Sequence, residues 1–142
     1  MYKIKNKNDN IFCFECDYIV YGNTSATNIE MECPIKVDKK YNSGLIYHNR
    51  WDFNFHQFMT RTFFLIRHHK PDMKIIIKKS CPKYTKDILK ILNLERYILE
   101  IQEDEVLEFE ELLFTKNDEF KWDNDINFFL QDFIYKCKKM ST

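Results

Sequence analysis

The chain has 142 residues, a formal net charge of zero, 44% hydrophobic residues and only two glycines. That length holds one domain with a real core, and the charge balance gives no global pull towards nucleic acid or membranes. Gly22 and Gly44 cannot supply a GxGxxG or GxxxxGK[ST] loop, so a glycine-rich phosphate cradle is excluded. Charge is nonetheless segregated: Arg61–Lys90 carries nine Lys/Arg against two Asp, and Glu95–Asp125 carries twelve Asp/Glu against three Lys/Arg. Two solvated faces would account for this; so would a basic rim for an anionic ligand such as a nucleoside diphosphate. Five cysteines at irregular spacing do not read as a disulfide framework. The polar start MYKIKNKNDN lacks the apolar core of a signal peptide, and no apolar run reaches about eighteen residues. A cytoplasmic location without membrane insertion is therefore expected. The heavy use of Lys, Asn, Ile and Phe points to an AT-rich genome, such as that of a large DNA virus or a protozoan.

In chain order, residues 1–9 are polar and read as a disordered end. Ile11–Tyr21 places Phe12, Phe14, Cys16, Tyr18 and Val20 on one face, which predicts a strand. Ile29–Val37 predicts a second strand, held to an edge or bulge by Pro34. Asp38–Ser43 reads as a loop and Leu45–Tyr47 as a short strand. A polar, aromatic turn follows at His48–Asp52, then an apolar helix from Phe53 to His69, stopped by Pro71. Met73–Lys78 is a run rich in isoleucine, the pattern of a buried parallel strand. Pro82–Leu92 is an amphipathic helix, Tyr97–Gln102 a strand, and Glu105–Thr115 a strand by its alternation of Leu107 and Phe109 with glutamates. Asn124–Met140 is a helix with Ile126, Phe129, Leu130, Phe133 and Ile134 in a stripe. The alternation from residue 45 onwards predicts one α/β domain over 1–142: a three-layer, Rossmann-like arrangement with a mainly parallel sheet and an N-terminal antiparallel strand pair.

Few side-chain groupings carry chemistry. Cys13 and Cys16 have the spacing of a zinc half-site but no second pair follows, and on a strand they would point to opposite faces. His68 and His69 diverge by about 100° at a helix end, and Asp123-Asn124-Asp125 sits where a helix cap is needed. No metal site is expected. Nor is there a nucleophile elbow. The strand–turn–helix around residues 45–60 is the stronger candidate, because α/β folds gather ligands where strands end and helices begin. The turn concentrates His48, Asn49, Arg50 and Trp51; Asn54, His56 and Arg61 follow. A helix N-terminus favours neutral imidazole, so His56 could exchange a proton with a hydroxyl. A buried histidine bonded to backbone fits the same position.

The ordered run Asn54-Phe55-His56-Gln57-Phe58-Met59, Phe64-Leu65-Ile66, Met73–Ile77, Thr85–Asn93 and Val106–Thr115 resembles the N-terminal half of family 61 glycosyltransferases. Ile91-Leu92-Asn93-Leu94 stands where that family has an LL-x-L-G-like element, and Leu112-Leu113-Phe114 follows on the next strand. The match covers residues 43–115, and the ordered spacing carries it. Asn54 precedes His56 by two positions, where related sequences often have three. The resemblance implies a GT-B-like enzyme of two Rossmann-like domains, of which this chain would be the acceptor-side half. It implies metal-independent transfer of sugar from a nucleotide-sugar to a glycan or glycoprotein. His56 would act as catalytic residue, with His48, Asn49, Trp51, Asn54 and Arg61 binding substrate. No cofactor is expected on this half: the nucleotide-sugar donor would belong to a second α/β domain, in cis or in trans. The alternative is a non-catalytic protein- or glycan-binding module on the same fold.

Overall fold

The computed structural model describes residues 2–8, 11–14, 20–21, 36–49, 52–114 and 123–140. The strands are β1 (Tyr2–Asn8), β2 (Ile11–Phe14), β3 (Val20–Tyr21), β4 (Lys39–Ile46), β5 (Lys74–Lys78), β6 (Ile98–Ile101) and β7 (Val106–Leu113); the helices are α1 (Phe55–Arg61), α2 (Lys83–Ile91) and α3 (Asn124–Met140). Among the described residues, seven strands join one sheet in the order β3-β2-β1-β7-β4-β5-β6. The four strands β7, β4, β5 and β6 are parallel, and β1, β2 and β3 add antiparallel pairs at one end. The chain is thus a mixed α/β domain built on a largely parallel sheet.

Composition explains the centre of the sheet. β5 is buried from Ile75 to Lys78, and β4 from Ser43 to Ile46, because both faces of the parallel strands are covered. The outer half of β4, Lys39–Asn42, is mostly exposed and polar. It has β7 on one side, whereas β5 pairs only from Gly44 onwards. That polar half is why the sequence reads as a loop there.

The helices gather on one face. Leu45, Tyr47, Ile75 and Ile77 from the sheet pack with Phe58, Phe63, Phe64, Ile66, Ile88, Leu89 and Ile126. The second core contains only sheet residues and their neighbours: Ile4, Ile46, Ile76, Ile101, Leu107, Phe109 and Leu112. Among the described residues, helical side chains pack on one face of the sheet, and the cluster on the other face is built from sheet residues and their neighbours.

The sheet also curls. The Asn6 side-chain amide donates to the Ile101 carbonyl at 3.3 Å, the Asp104 N–H donates to the Asn6 carbonyl at 2.6 Å, and the Asn6 N–H donates to the Glu105 carbonyl at 3.3 Å. β1 and β6 are four places apart in the strand order, which in a flat sheet would separate them by about 19 Å. The bonds to Glu105 and Asp104 extend the β1–β7 ladder; the bond to Ile101 requires the sheet to bend round until the end of β6 meets β1. Asp104 takes a left-handed backbone (φ 61°) to make the β6–β7 turn.

Three expectations need correction. Residues 2–8 form β1 rather than a disordered end, paired with β2 and β7. Ile11–Tyr21 is not one strand: β2 and β3 run antiparallel, with Phe12 opposite Tyr21. The helix expected over Phe53–His69 stops at Arg61, and Phe63–His68 continues as a 3-10 helix. Of the strand expected over Ile29–Val37, residues 29–35 lie outside the described residues, and the last two form no strand.

Gly44 shows how tightly the curled core is closed. A Cβ at this position would lie 2.6 Å from Phe109 Cε1 and 2.8 Å from Ile76 Cδ1. Gly44→Ala should lower the unfolding free energy by about 1–3 kcal/mol, and Phe109→Leu in the same chain should recover part of the loss. Urea unfolding of the two single variants and the double variant measures this. A strictly additive cycle would mean that Phe109 does not oppose the added methyl.

Candidate functional site

The C-terminal ends of parallel strands are where this fold class leaves room for side chains from several loops. Ile46 and Ile76 are register partners, and the pairing continues as the Tyr47 N–H donates to the Ile76 carbonyl at 2.9 Å. Two residues further along each strand, that register brings His48 and Lys78 together at the sheet's end. Both are buried, as are Asn49, Asp52, Thr62 and Thr85.

Asp52 organises the turn. One carboxylate oxygen, Oδ2, accepts the Asn49 N–H at 2.8 Å, and the other, Oδ1, accepts the Thr62 hydroxyl at 2.6 Å. The Asp52 N–H returns a bond to the Asn49 carbonyl at 3.1 Å. The Tyr84 hydroxyl, brought in by α2, donates to the Asp52 carbonyl. Thr62 lies at the end of α1, so its bond to Asp52 coincides with the change from α-helix to 3-10 helix.

Burial sets the protonation of this cluster. Desolvation pushes the Asp52 carboxyl up from 3.8 to about 7, against the opposing pull of its bonds to Thr62 and Asn49. Desolvation, then the nearby Lys78 ammonium, hold His48 down to about 3. The 3.9 Å approach of His48 Nδ1 to Asp52 Oδ2 is therefore a contact with a neutral imidazole rather than an ion pair.

Outside this buried group the chain turns outward. Phe53 is 62% exposed and Phe55 56% exposed; Asn54 and His56 are exposed as well. Asn54 is the N-cap of α1, its side-chain oxygen accepting the Gln57 N–H at 3.2 Å. Arg61 Nε donates to Gln57 Oε1 at 2.7 Å. The ring of Phe55 stands edge-on to Tyr84, with centroids 5.1 Å apart.

The residues singled out from sequence thus separate into two levels. His48 and Asn49 lie beneath the turn and belong to its frame. Asn54 and His56 lie on its surface, and Arg61 is half-buried along α1. Trp51 and Arg50 lie outside the described residues. Asp52, Thr62, Lys78 and Tyr84, together with the exposed Phe53 and Phe55, were not singled out. A signal existed for two of them: Phe53 and Phe55 bracket Asn54 at the start of a helix, where only one can face the core. Among the described residues no three His, Cys, Asp or Glu side chains converge as metal ligands, and no helix is long and apolar enough to cross a membrane.

The shifted groups pull stability in opposite directions with pH. The raised Asp52 contributes stability that is full below its unfolded value near 4 and lost as pH rises towards about 7. The lowered His48 contributes stability that is full above about 6.5 and lost as pH falls towards about 3. Between about pH 4 and 6.5 the two slopes cancel. Asp52→Asn removes one arm, so its unfolding free energy relative to the unsubstituted chain should climb with pH by about 1.4 kcal/mol per unit between about 4 and 7. Urea denaturation at several pH values reads the slope directly. A difference that stays constant with pH would mean that Asp52 titrates alike in the folded and unfolded chain.

Comparison of the chain with known protein families, curated proteins and solved structures finds no match.

Proposed function

We propose that the turn and first helical residues after β4 form the acceptor-binding surface of a glycosyltransferase-like domain. The observation that carries this reading is the pair of exposed rings, Phe53 and Phe55, standing beside the exposed His56 on a segment whose base is buried and hydrogen-bonded. Sugars present C–H faces that pack on aromatic rings and hydroxyls that need polar partners. An aromatic surface with an adjoining imidazole offers both.

In this reading the rings set the acceptor against the turn and His56 takes the proton of the attacking hydroxyl. A neutral imidazole can take up a proton on its free ring nitrogen, and it must come within about 3 Å of the hydroxyl. The nucleotide-sugar donor would be held by a second α/β domain, in a GT-B-like arrangement that places transfer between two Rossmann-like units. The resemblance of Asn54–Met59 and the elements after it to family 61 glycosyltransferases supports the same assignment.

A second reading has its own observation. Asn54 Oδ1 is committed to capping α1 and Arg61 Nε to Gln57, so two polar groups expected to meet substrate are already engaged within the chain. That favours a non-catalytic module which binds glycan or protein through its aromatic surface.

Titration of the chain with neutral oligosaccharides, followed through the ring signals of Phe53, Phe55 and His56, tests the shared premise. Phe53→Ala and Phe55→Ala should each weaken binding by about tenfold, on the order of 1.4 kcal/mol. His56→Ala should weaken binding less than either ring substitution yet abolish transfer from a nucleotide-sugar once the donor domain is supplied. Undiminished transfer with His56→Ala would remove the catalytic role and leave the binding module. Ring signals that no oligosaccharide moves would remove the glycosyltransferase reading and the glycan-binding form of the second, leaving only a protein-binding module.

A further inference from the structure

We propose that Asp52 is the positioning residue of this surface: its carboxylate and its backbone carbonyl tie the start of the turn to α1 and α2, and so fix the direction in which Phe53, Phe55 and His56 leave the fold. The purpose of that positioning rests on the acceptor-binding reading above; the positioning itself is a property of the free chain.

Four bonds converge on one residue. Oδ2 holds the Asn49 N–H at 2.8 Å and Oδ1 holds the Thr62 hydroxyl at 2.6 Å. The Asp52 N–H reaches the Asn49 carbonyl at 3.1 Å, and its carbonyl receives the Tyr84 hydroxyl. The partners come from three places in the chain: the segment just after β4, the end of α1 and the first turn of α2. The residue immediately after Asp52 is the exposed Phe53. Tyr84, held by the Asp52 carbonyl, stands edge-on both to Phe55 at 5.1 Å and to the buried Phe58 at 5.0 Å. One end of the exposed segment is thus clamped through the carboxylate, and one of its rings is braced through the tyrosine.

Asp52 is fully buried, so it acts through these partners and not by touching a ligand. What the clamp needs is one acceptor for the Asn49 N–H and one group able to bond the Thr62 hydroxyl. A protonated carboxyl meets that need, and so does a carboxamide, whose oxygen accepts from Asn49 while its NH2 donates to Thr62. Positioning by geometry therefore predicts that asparagine replaces Asp52 and alanine does not. A role that depends on negative charge predicts that both replacements fail.

The test compares the unsubstituted chain with Asp52→Ala, Asp52→Asn and Tyr84→Phe by NMR. Asp52→Ala should speed exchange of the Asn49 amide by about a hundredfold or more and displace the ring signals of Phe55 and His56. It should weaken oligosaccharide binding by about tenfold. The methyl signals of Ile101, Leu107 and Leu112 in the curled core should stay in place. Asp52→Asn should restore all of these. Tyr84→Phe should move Phe55 while the Asn49 amide remains protected. Unchanged Asn49 exchange and ring signals in Asp52→Ala overturn the proposal, as does an Asp52→Asn variant no better than alanine. Should Asp52→Ala fail to fold, Thr62→Val takes its place: it removes the bond at Oδ1 alone, and ring signals left unmoved by it would overturn the clamp. If the unsubstituted chain binds no oligosaccharide, the functional reading falls, while amide exchange and ring signals still decide the positioning.

Discussion

The curl of the sheet decides where everything else can sit. With the end of β6 bonded to β1, the described residues of one sheet face pack against one another, with no described helix among them. The described helices share the other face, and α1, α2 and α3 pack into one continuous core with the 3-10 segment Phe63–His68. Loops that follow β4 and β5 emerge at the edge of that helical layer. This is why Asp52, Thr62 and Tyr84, distant in sequence, meet at one point.

The meeting point is polar and dry, which is costly unless the groups inside it adjust. An isolated carboxylate or imidazolium carried into such a place loses most of its hydration, and shifting its pKa is the cheaper outcome. The chain adjusts in both directions at once: His48 sheds its proton and Asp52 holds on to one up to about neutral pH. Lys78, fully buried beside them, helps to keep His48 neutral. The bonds from Asn49 and Thr62 work against the rise at Asp52 but do not overcome desolvation. Because the two shifts have opposite pH dependence, the cluster can be buried without making stability strongly pH-dependent between about 4 and 6.5.

Local pattern made part of this legible. Met73–Lys78 reads as a buried parallel strand because its isoleucines must be covered on both faces, and β5 is covered so. The amphipathic stripe of Pro82–Leu92 and the apolar spacing of Asn124–Met140 each settle on a helix within a residue or two of the expected ends. What escaped depends on partners far away in sequence. β1 has Ile4 and Asn6 buried among lysines, and only its pairing with β7 and the turn after β6 makes that a strand. The helix expected through His69 breaks at Thr62, whose hydroxyl bonds to a carboxylate ten residues earlier. Asp52 itself looks, in sequence, like an ordinary polar residue of a turn; nothing local announces that it is fully buried.

The same dependence on distant partners explains why the aromatic turn has two levels. A helix N-terminus that is merely capped, as Asn54 caps α1, can fray, and exposed rings on a fraying turn would cover one another instead of staying open to a ligand. Bonds from Asp52 to the end of α1 and to α2 bind the turn to elements that are themselves anchored in the helical core through Phe58 and Leu89. On the acceptor-binding reading proposed above, ordering Phe53 and Phe55 in the free chain would lower the entropy lost on binding, which is the advantage of any preorganised surface. On the same reading, the buried residues His48, Asn49 and Asp52 would support the surface from beneath without touching the ligand.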